Sequence, residues 1–252
     1  RSAVLRFRPQ MMICLAGGLA LREEDAAWLK AQGVVTVGIT LSDPDVFDSV
    51  QSFAGNFDVH TSNALTAVDM YKDSGIQNTL HFPFGVDRSF VTQQVAVAER
   101  FQADVICLGH ATAHPLRDGL MSAVHDRLGD RFRVKAYGRG WSLPDSRPVE
   151  GLDVLQASRG GLIHVNFPMT RAGFTNVKCG VFETIAAGGV LVTQRFDEMA
   201  LFFDYDSEIG GYRTFEDLPE VVEGLLSDKA ALDHMRRTAF SKLVTQHLYE
   251  HR

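Results

Sequence analysis

The sequence predicts an α/β protein built from two Rossmann-like units, each with a parallel sheet. Short apolar runs alternate with amphipathic stretches along the whole chain, as in proteins whose strands and helices alternate. Glycines follow several amphipathic stretches where a helix would end. A polar stretch, residues 88–102, separates two such series. We therefore expect one unit over residues 1–92 and a second over 93–252, facing each other across a cleft, with the last helix packing back on the first unit.

The first series predicts three buried strands and two helices joined by short turns. Strands are expected over residues 11–17, 34–40 and 79–84, and helices over 23–32 and 63–74. Gly33 and Gly75 stand where a left-handed glycine ends a helix. Asn63 stands where an N-cap residue begins one. These elements together predict a βαβ arrangement.

The second series predicts a longer parallel sheet. Strands are expected over residues 104–109, 133–138, 161–167 and 190–194, and helices over 177–187, 216–226 and 229–248. A further helix follows the first of these strands, because Leu116, Leu120, Val124 and Leu128 recur at every fourth position. Gly129 marks the end of that helix.

Composition narrows the class of protein. The chain has 252 residues, is 45% hydrophobic and carries a net charge of −6, which disfavours a nucleic-acid partner. The three cysteines form no CxxC pair, so we expect reduced, buried thiols and a cytoplasmic location. No apolar run approaches the roughly 18 residues of a membrane span, and no signal-peptide pattern opens the chain.

The segment from Gly160 to Gln194 holds the strongest candidate site. Ligands of parallel α/β units bind at the carboxyl ends of the strands, and here a glycine-containing loop leads from such an end into a helix. The free N–H groups and the dipole of a helix N-terminus suit a diphosphate, to which Lys178 can add charge. Glu183 stands among apolar residues and is suited to bind the hydroxyls of a ribose. An ordinary solvent-facing glutamate is an equal alternative.

Other polar residues that follow strands have two interpretations each. Arg117 is either a phosphate ligand or a surface arginine. His110 and His114 have the spacing of metal ligands but no acidic neighbour, which favours polar lining of the cleft over a metal site. Trp141 either stacks on a base or packs in the core. Asp43 either serves an acceptor or begins a turn.

Two enzyme classes lack their motifs. Gly17-Gly18 and Gly138-Arg139-Gly140 each follow a predicted strand, but neither completes a GxGxxG fingerprint. A dinucleotide-dependent dehydrogenase is therefore unsupported. The chain contains no GxSxG elbow and no Ser-His-Asp order, which gives covalent hydrolase chemistry no basis.

Several motifs resemble one known family. The run NVKCGVFETIAAGGVLVTQ resembles the R-x-F-E-x-x-A-x-G-G-x-x-L-T signature of CgeB-like spore-maturation proteins, a branch of the group 1, family-4-type glycosyltransferases. In the same order along the chain, HFPFGVDRSF, DVICLGH with Arg117, RVKAYGRGW, LIHVNF and HLYEHR are similar to other motifs of that family. The resemblance spans nearly the whole sequence, and VFETIAAGG is its most specific part.

The resemblance implies a GT-B fold and a hexosyltransferase-like enzyme that uses a UDP- or GDP-linked sugar as its substrate, without metal or cofactor and with retention. It places the ribose on Glu183 and the diphosphate on Arg117 and the helix that follows Asn176. The donor-binding residues are then Gly109, His110, Arg117, Tyr137, Gly138, Trp141, Asn166, Thr175, Asn176, Val177, Lys178 and Glu183, with Arg117 and Lys178 as the catalytic pair. Gly17, Gly18 and Asp43 are expected on the acceptor side.

The sequence departs from this family in three places. Thr175 replaces its first glutamate and Gly180 replaces its arginine, and the first unit is so short that the N-terminal domain is expected to be incomplete. Two alternatives therefore stay open. One is a non-catalytic nucleotide-sugar-binding protein in surface or coat assembly, and the other is a two-lobed receptor of the periplasmic-binding type. The acceptor, whether glycan, small molecule or protein, is not indicated.

Overall fold

A computed structural model describes residues 1–16 and 21–252. Contacts divide the chain into two compact units, Arg1–Pro83 and Phe84–Arg252. Every strand pairing inside each unit is parallel, which confirms the predicted α/β class with two parallel sheets. The division lies at Pro83, whereas the sequence predicted it at residue 92. The packing of the last helix on the first unit stays a prediction.

The first unit is a four-stranded parallel sheet in the order β1-β2-β3-β4. Its strands are β1 Met11–Ala16, β2 Val35–Thr40, β3 Val59–Ser62 and β4 Thr79–His81. Its helices are α1 Ser2–Phe7, α2 Glu23–Ala31, α3 Phe47–Ala54 and α4 Leu65–Asp73. Gly33 and Gly75 have φ of 74° and 89°, the left-handed conformation predicted for glycines that follow α2 and α4.

The first unit differs from the prediction at α1 and α3, which were not among the two predicted helices, at β3 and at the start of α4. Strand β3 was missed because its sequence, VHTS, is polar, although His60 is fully buried between the hydroxyls of Thr40 and Thr79 at 3.0 and 3.2 Å. The prediction of Asn63 as the N-cap of α4 was wrong. Ala64 takes that position, because the Asn63 Oδ1 accepts the backbone N–H of Asp43 instead, at 3.1 Å.

The second unit is a five-stranded parallel sheet in the order β6-β5-β7-β8-β9. Its strands are β5 Ala103–Leu108, β6 Val134–Tyr137, β7 Gly161–Asn166, β8 Val190–Gln194 and β9 Gly210–Tyr212. Its helices are α5 Arg88–Thr92, α6 Arg117–Leu128, α7 Leu152–Gly160, α8 Cys179–Ala186, α9 Asp197–Ala200, α10 Leu218–Ser227 and α11 Lys229–Gln246. The sequence had not predicted α5, α7, α9 or β9.

The sheet of the second unit is apolar on both faces, as parallel sheets require. Along β8, Val190 and Val192 pack in one hydrophobic cluster, while Leu191 packs in another with Ile185 of α8 and Leu243 of α11. The helices on either side of the sheet are thereby held against it. A rigid sheet of this kind positions the loops at its carboxyl end.

The strand order identifies where those loops separate. The chain passes from β5 to β6 on one side of β5 and then returns to β7 on the other. The connections after β5 and β7 therefore run away from each other and leave a crevice, which is where open α/β sheets bind ligands.

Candidate functional site

A cavity of about 440 Å³ opens at this crevice and lies entirely within the second unit. Its wall combines the carboxyl ends of β5, β6 and β7 with the beginning of α8. The predicted donor-site residues that line it are Gly109, His110, Arg117, Tyr137, Gly138, Asn166, Lys178 and Glu183. The fold thus brings together residues that are up to 74 positions apart.

The other predicted donor-site residues do not line this cavity. Trp141 is 9% exposed and donates its indole N–H to the Gly109 carbonyl at 2.9 Å, so it packs beneath the loop. Helix α8 begins at Cys179 and not at residue 177, which leaves Thr175, Asn176 and Val177 in the connecting segment. Val177 is 1% exposed in the core, Asn176 is buried, and Thr175 pairs with Met169.

Two glycines bring the loops after β5 and β6 into contact. Gly109 and Gly138 have φ of 132° and 142°, and the Gly109 N–H donates to the Tyr137 carbonyl at 2.9 Å. A Cβ on Gly138 would lie 2.0 Å from the Gly109 oxygen, so no larger residue fits there. This close approach sets the width of the cavity beside Arg117.

Arg117 is the first residue of α6, and its guanidinium crosses from the β5 side of the cavity to the β7 side. Its Nη1 donates to the His110 carbonyl at 3.2 Å, and its Nη2 donates to the Phe167 carbonyl at 3.4 Å. Within the described ranges, no carboxylate forms an ion pair with it. The guanidinium is half-buried, and this burial leaves its charge poorly hydrated and lowers its pKa. An anion would therefore gain more from this arginine than from an exposed one.

The N-terminus of α8 adds a second positive feature to the same cavity. Lys178 precedes the first turn, and its Nζ donates to the carbonyls of Phe167 and Met169 at 2.9 and 3.1 Å. Cys179 and Gly180, the first two residues of α8, line the cavity. Gly180 carries no side chain over this surface, and a Cβ there would meet only the Asn166 amide at 3.8 Å. The first turn of α8 therefore lies at the surface of the cavity, with the Cys179 thiol close to the backbone N–H groups of Cys179 and Gly180.

Glu183 lies one turn further along the same face of α8 as Gly180, together with Thr184. Its side chain is exposed at the cavity, and its carboxylate forms no hydrogen bond or ion pair with any described residue. The surrounding apolar side chains exclude enough water to raise the pKa of the carboxyl above its usual value. The carboxylate therefore has its acceptor capacity available for a ligand.

The sequence did not predict the floor of the cavity, where His164 of β7 contacts Thr184 of α8. The His164 Nδ1 and the Thr184 Oγ1 are 3.1 Å apart, and burial lowers the pKa of this histidine to about 4, so it is neutral. The His164 ring also explains why residue 189, in the AAGG motif, is a glycine: a Cβ on Gly189 would lie 2.6 Å from the ring. His164 thus sets the distance between α8 and the sheet.

The histidines that could have suggested a metal are turned toward the backbone. His110 Nδ1 accepts the Arg139 N–H at 2.9 Å, and His114 Nδ1 accepts the Leu116 N–H at 3.3 Å. Within the described part of the chain, no three His, Cys, Asp or Glu side chains are grouped closely enough to hold a metal ion. These two residues shape the loop after β5.

The residues predicted on the acceptor side lie in the first unit. Gly17 and Gly18 fall outside the described residues. Asp43 is fully buried, where it accepts the Tyr71 hydroxyl at 3.2 Å and its backbone N–H donates to Asn63. Burial raises the pKa of the Asp43 carboxyl. In this position the side chain supports the loop after β2, and its assignment to an acceptor stays a prediction.

The helices of residues 1–16 and 21–252 include none with the length and apolar character that crossing a bilayer requires.

A family of glycosyl transferase-like proteins matches residues 117–252 of this chain. The matched range begins at Arg117 and includes α8 and both closing helices. No curated protein matches the sequence significantly.

Solved structures match nearly the whole chain at low sequence identity. A glycosyltransferase from Rickettsia africae ESF-5 is 8% identical, with a TM-score of 0.65 over 99% of this chain and 75% of that one. Sucrose-phosphate synthase from Thermosynechococcus elongatus is 9% identical, with a TM-score of 0.65 over 99% and 72%. HepE from Anabaena, crystallised with UDP and glucose, is 11% identical, with a TM-score of 0.66 over 98% and 77%. These matches confirm the predicted GT-B fold.

Proposed function

Because the chain belongs to the glycosyl transferase-like family, we propose that it transfers a sugar from a nucleotide-diphosphate sugar held in the cavity of the second unit. The family and fold already make it glycosyltransferase-like; the proposal adds the donor, its orientation and the residues that hold it. HepE, which has the same fold, was crystallised with UDP and glucose, and this favours a UDP-linked hexose as the donor.

The main support for the proposal is that a positively charged region and a carboxylate lie in the same cavity. Arg117 and the start of α8 offer positive charge with no carboxylate at the arginine, which suits a diphosphate. Glu183, on the same helix, offers a carboxylate without hydrogen-bond donors, which suits the two hydroxyls of a ribose. A nucleoside diphosphate carries both groups in adjacent positions, so it can satisfy both ends at once.

This arrangement also suggests how transfer is accelerated. When the sugar leaves, negative charge grows on the outer phosphate of the nucleotide. In the proposed arrangement this phosphate lies beside Arg117 and the start of α8, which both line the cavity, and Lys178 adds charge next to them. Preorganised donors of this kind stabilise a departing anion without metal or a dedicated nucleophile. We propose that transfer is metal-independent and occurs with retention, as the resemblance to CgeB-like enzymes implies.

A non-catalytic nucleotide-sugar-binding protein is the second candidate. Thr175 and Gly180 stand where the family-4 pattern has a glutamate and an arginine, and Gly180 leaves the beginning of α8 without a second guanidinium. Such a protein would hold the donor and have less charge available for the departing phosphate.

We also propose a cytoplasmic location. The acceptor is a glycan, a small molecule or a protein, and none of these classes is singled out. The expectation of buried thiols holds for Cys107 alone, because Cys14 is half-buried and Cys179 is exposed.

A donor panel distinguishes the candidates. We expect the purified protein to release nucleotide from at least one UDP- or GDP-linked hexose, at a rate that EDTA does not change. Tight binding of UDP or GDP without turnover, in the presence of a range of glycan, small-molecule and protein acceptors, would favour the binding protein. Absence of any nucleotide binding would refute both candidates and favour the two-lobed receptor.

A further inference from the structure

A second, much smaller cavity lies on the other side of Arg117. It has a volume of about 10 Å³ and shares Arg117 and Phe167 with the large cavity. Gln194 at the end of β8 and Tyr212 at the end of β9 also line it. The same guanidinium therefore faces the donor cavity on one side and this small cavity on the other.

Three polar atoms on the residues of this small cavity are buried without a hydrogen bond of normal geometry to any described residue. They are the Nε of Arg117, the Oε1 of Gln194 and the hydroxyl of Tyr212, which has only a loose contact with the backbone of Gln194. The Tyr212 side chain is fully buried. A buried polar group without a partner destabilises the folded state. Because the three atoms belong to residues around one cavity, we expect them to share one hydrogen-bonding partner there.

One water molecule meets the requirements of this cavity. A volume of about 10–15 Å³ accommodates one water, which typically makes about three hydrogen bonds. The Arg117 Nε–H can donate to the water oxygen, and the water can donate to the Gln194 Oε1. Burial raises the pKa of the Tyr212 phenol, so the phenol stays protonated. Its O–H can donate a second hydrogen bond to the water oxygen.

The charges around the cavity keep this network in one protonation state. Burial lowers the pKa of His114, which also lines it, so that the ring is neutral at pH 7. The Cys107 thiol, which lies close enough to Arg117 and Tyr212 to interact with both, has a pKa raised by burial to about 12 and remains protonated. Arg117 is thus the only charged group among these residues. None of them changes its protonation state near neutral pH, so the hydrogen bonds of the network stay the same there.

We propose that this cavity binds a structural water that joins Arg117 to Gln194 and Tyr212, which makes Tyr212 and Gln194 positioning residues for the diphosphate-binding arginine. The inference rests on the proposed function, because it assigns the purpose of this network to the donor site. The two carbonyl contacts hold the Nη atoms, and the water holds the Nε. Together they orient the plane of the guanidinium toward the donor cavity.

The test compares the affinities of UDP and uridine by isothermal titration, with GDP and guanosine used instead if the protein prefers guanine. Tyr212→Phe removes only the hydroxyl. We expect it to weaken UDP binding about 5-fold, as the loss of one buried hydrogen bond implies, and to leave uridine binding unchanged. A general loss of folding would weaken both ligands equally. Tyr205→Phe is the matched control, because the Tyr205 hydroxyl bonds only backbone at Gln194 and Phe196.

The outcomes separate the two proposals. If Tyr212→Phe leaves the ratio of UDP to uridine affinity unchanged while Arg117→Ala lowers it, the water network is refuted and the donor site stands. If the wild type binds UDP no better than uridine, the proposed function itself fails. A crystal structure at high resolution gives an independent readout, in which we expect a water about 2.7–3.2 Å from the Arg117 Nε; an Nε bonded directly to protein would refute the inference.

Discussion

Arg117→Ala is expected to lower kcat for sugar transfer by about 100- to 1,000-fold, the range observed when one preorganised donor to a developing anion is removed. The reason is that the guanidinium is partly buried, has no carboxylate partner among the described residues and points into the donor cavity. Steady-state rates of nucleotide release from the preferred donor measure the effect. Arg117→Lys should recover only part of the rate, because an ammonium lacks the planar fork that binds two phosphate oxygens.

Arg171→Ala serves as the matched control for this substitution. Arg171 also donates to backbone carbonyls of the loop after β5, at 2.8 Å to Thr112 and 3.4 Å to Ala113, but it does not line the cavity. It should retain a rate within a few-fold of the wild type. Equal losses in Arg117→Ala and Arg171→Ala would mean that Arg117 only supports the loop, and would contradict its catalytic assignment.

Glu183→Gln is expected to weaken the binding of UDP, or of GDP if that is preferred, by about 10- to 100-fold, since hydrogen bonds to a charged group contribute about 1.5–3 kcal/mol. The same change should raise the melting temperature of the unliganded protein. A carboxylate whose folded pKa is raised destabilises the native state when it is ionised, so a neutral side chain removes that cost at neutral pH. Opposite effects on binding and on stability are typical of a functional residue.

The pH dependence gives a further check on Glu183. Ligand hydroxyls donate to the ionised carboxylate, so the affinity of the wild type should fall as the pH falls through the pKa of Glu183, which burial raises above its usual value. Protonation of the UDP phosphate affects both proteins alike, so the ratio of the wild-type affinity to that of Glu183→Gln isolates this fall and should decrease with the pH. Glu220→Gln, the same substitution on the exposed surface of α10, should leave the affinity and its pH dependence unchanged, and should not raise the melting temperature because Glu220 lies in the first turn of its helix. An unchanged UDP affinity in Glu183→Gln would remove the ribose assignment.

Much of the second unit could be predicted from sequence, because its signals are local. The fourfold spacing of leucines predicted α6, and the glycines of AAGG predicted the end of α8 and the beginning of β8. Since ligand sites of this fold follow strand ends, Gly109, Gly138 and Asn166 could also be predicted on the cavity.

The remaining site residues depend on tertiary packing, which single-sequence patterns do not contain. Trp141 follows a strand like a ligand-binding residue, but its indole reaches back to Gly109 and is buried there. Residues 175–177 were predicted at the start of a helix that begins two residues later. His164 was unforeseen because a buried histidine inside an apolar strand looks like core, and only the contact with Thr184 gives it a role.

A crystal structure of the protein with bound UDP would show directly how the nucleotide is held. We expect the diphosphate to lie within about 2.7–3.2 Å of the Arg117 guanidinium and of N–H groups at the start of α8, with both ribose hydroxyls donating to the Glu183 carboxylate. UDP bound elsewhere, or bound in this cavity with its diphosphate away from Arg117, would contradict it.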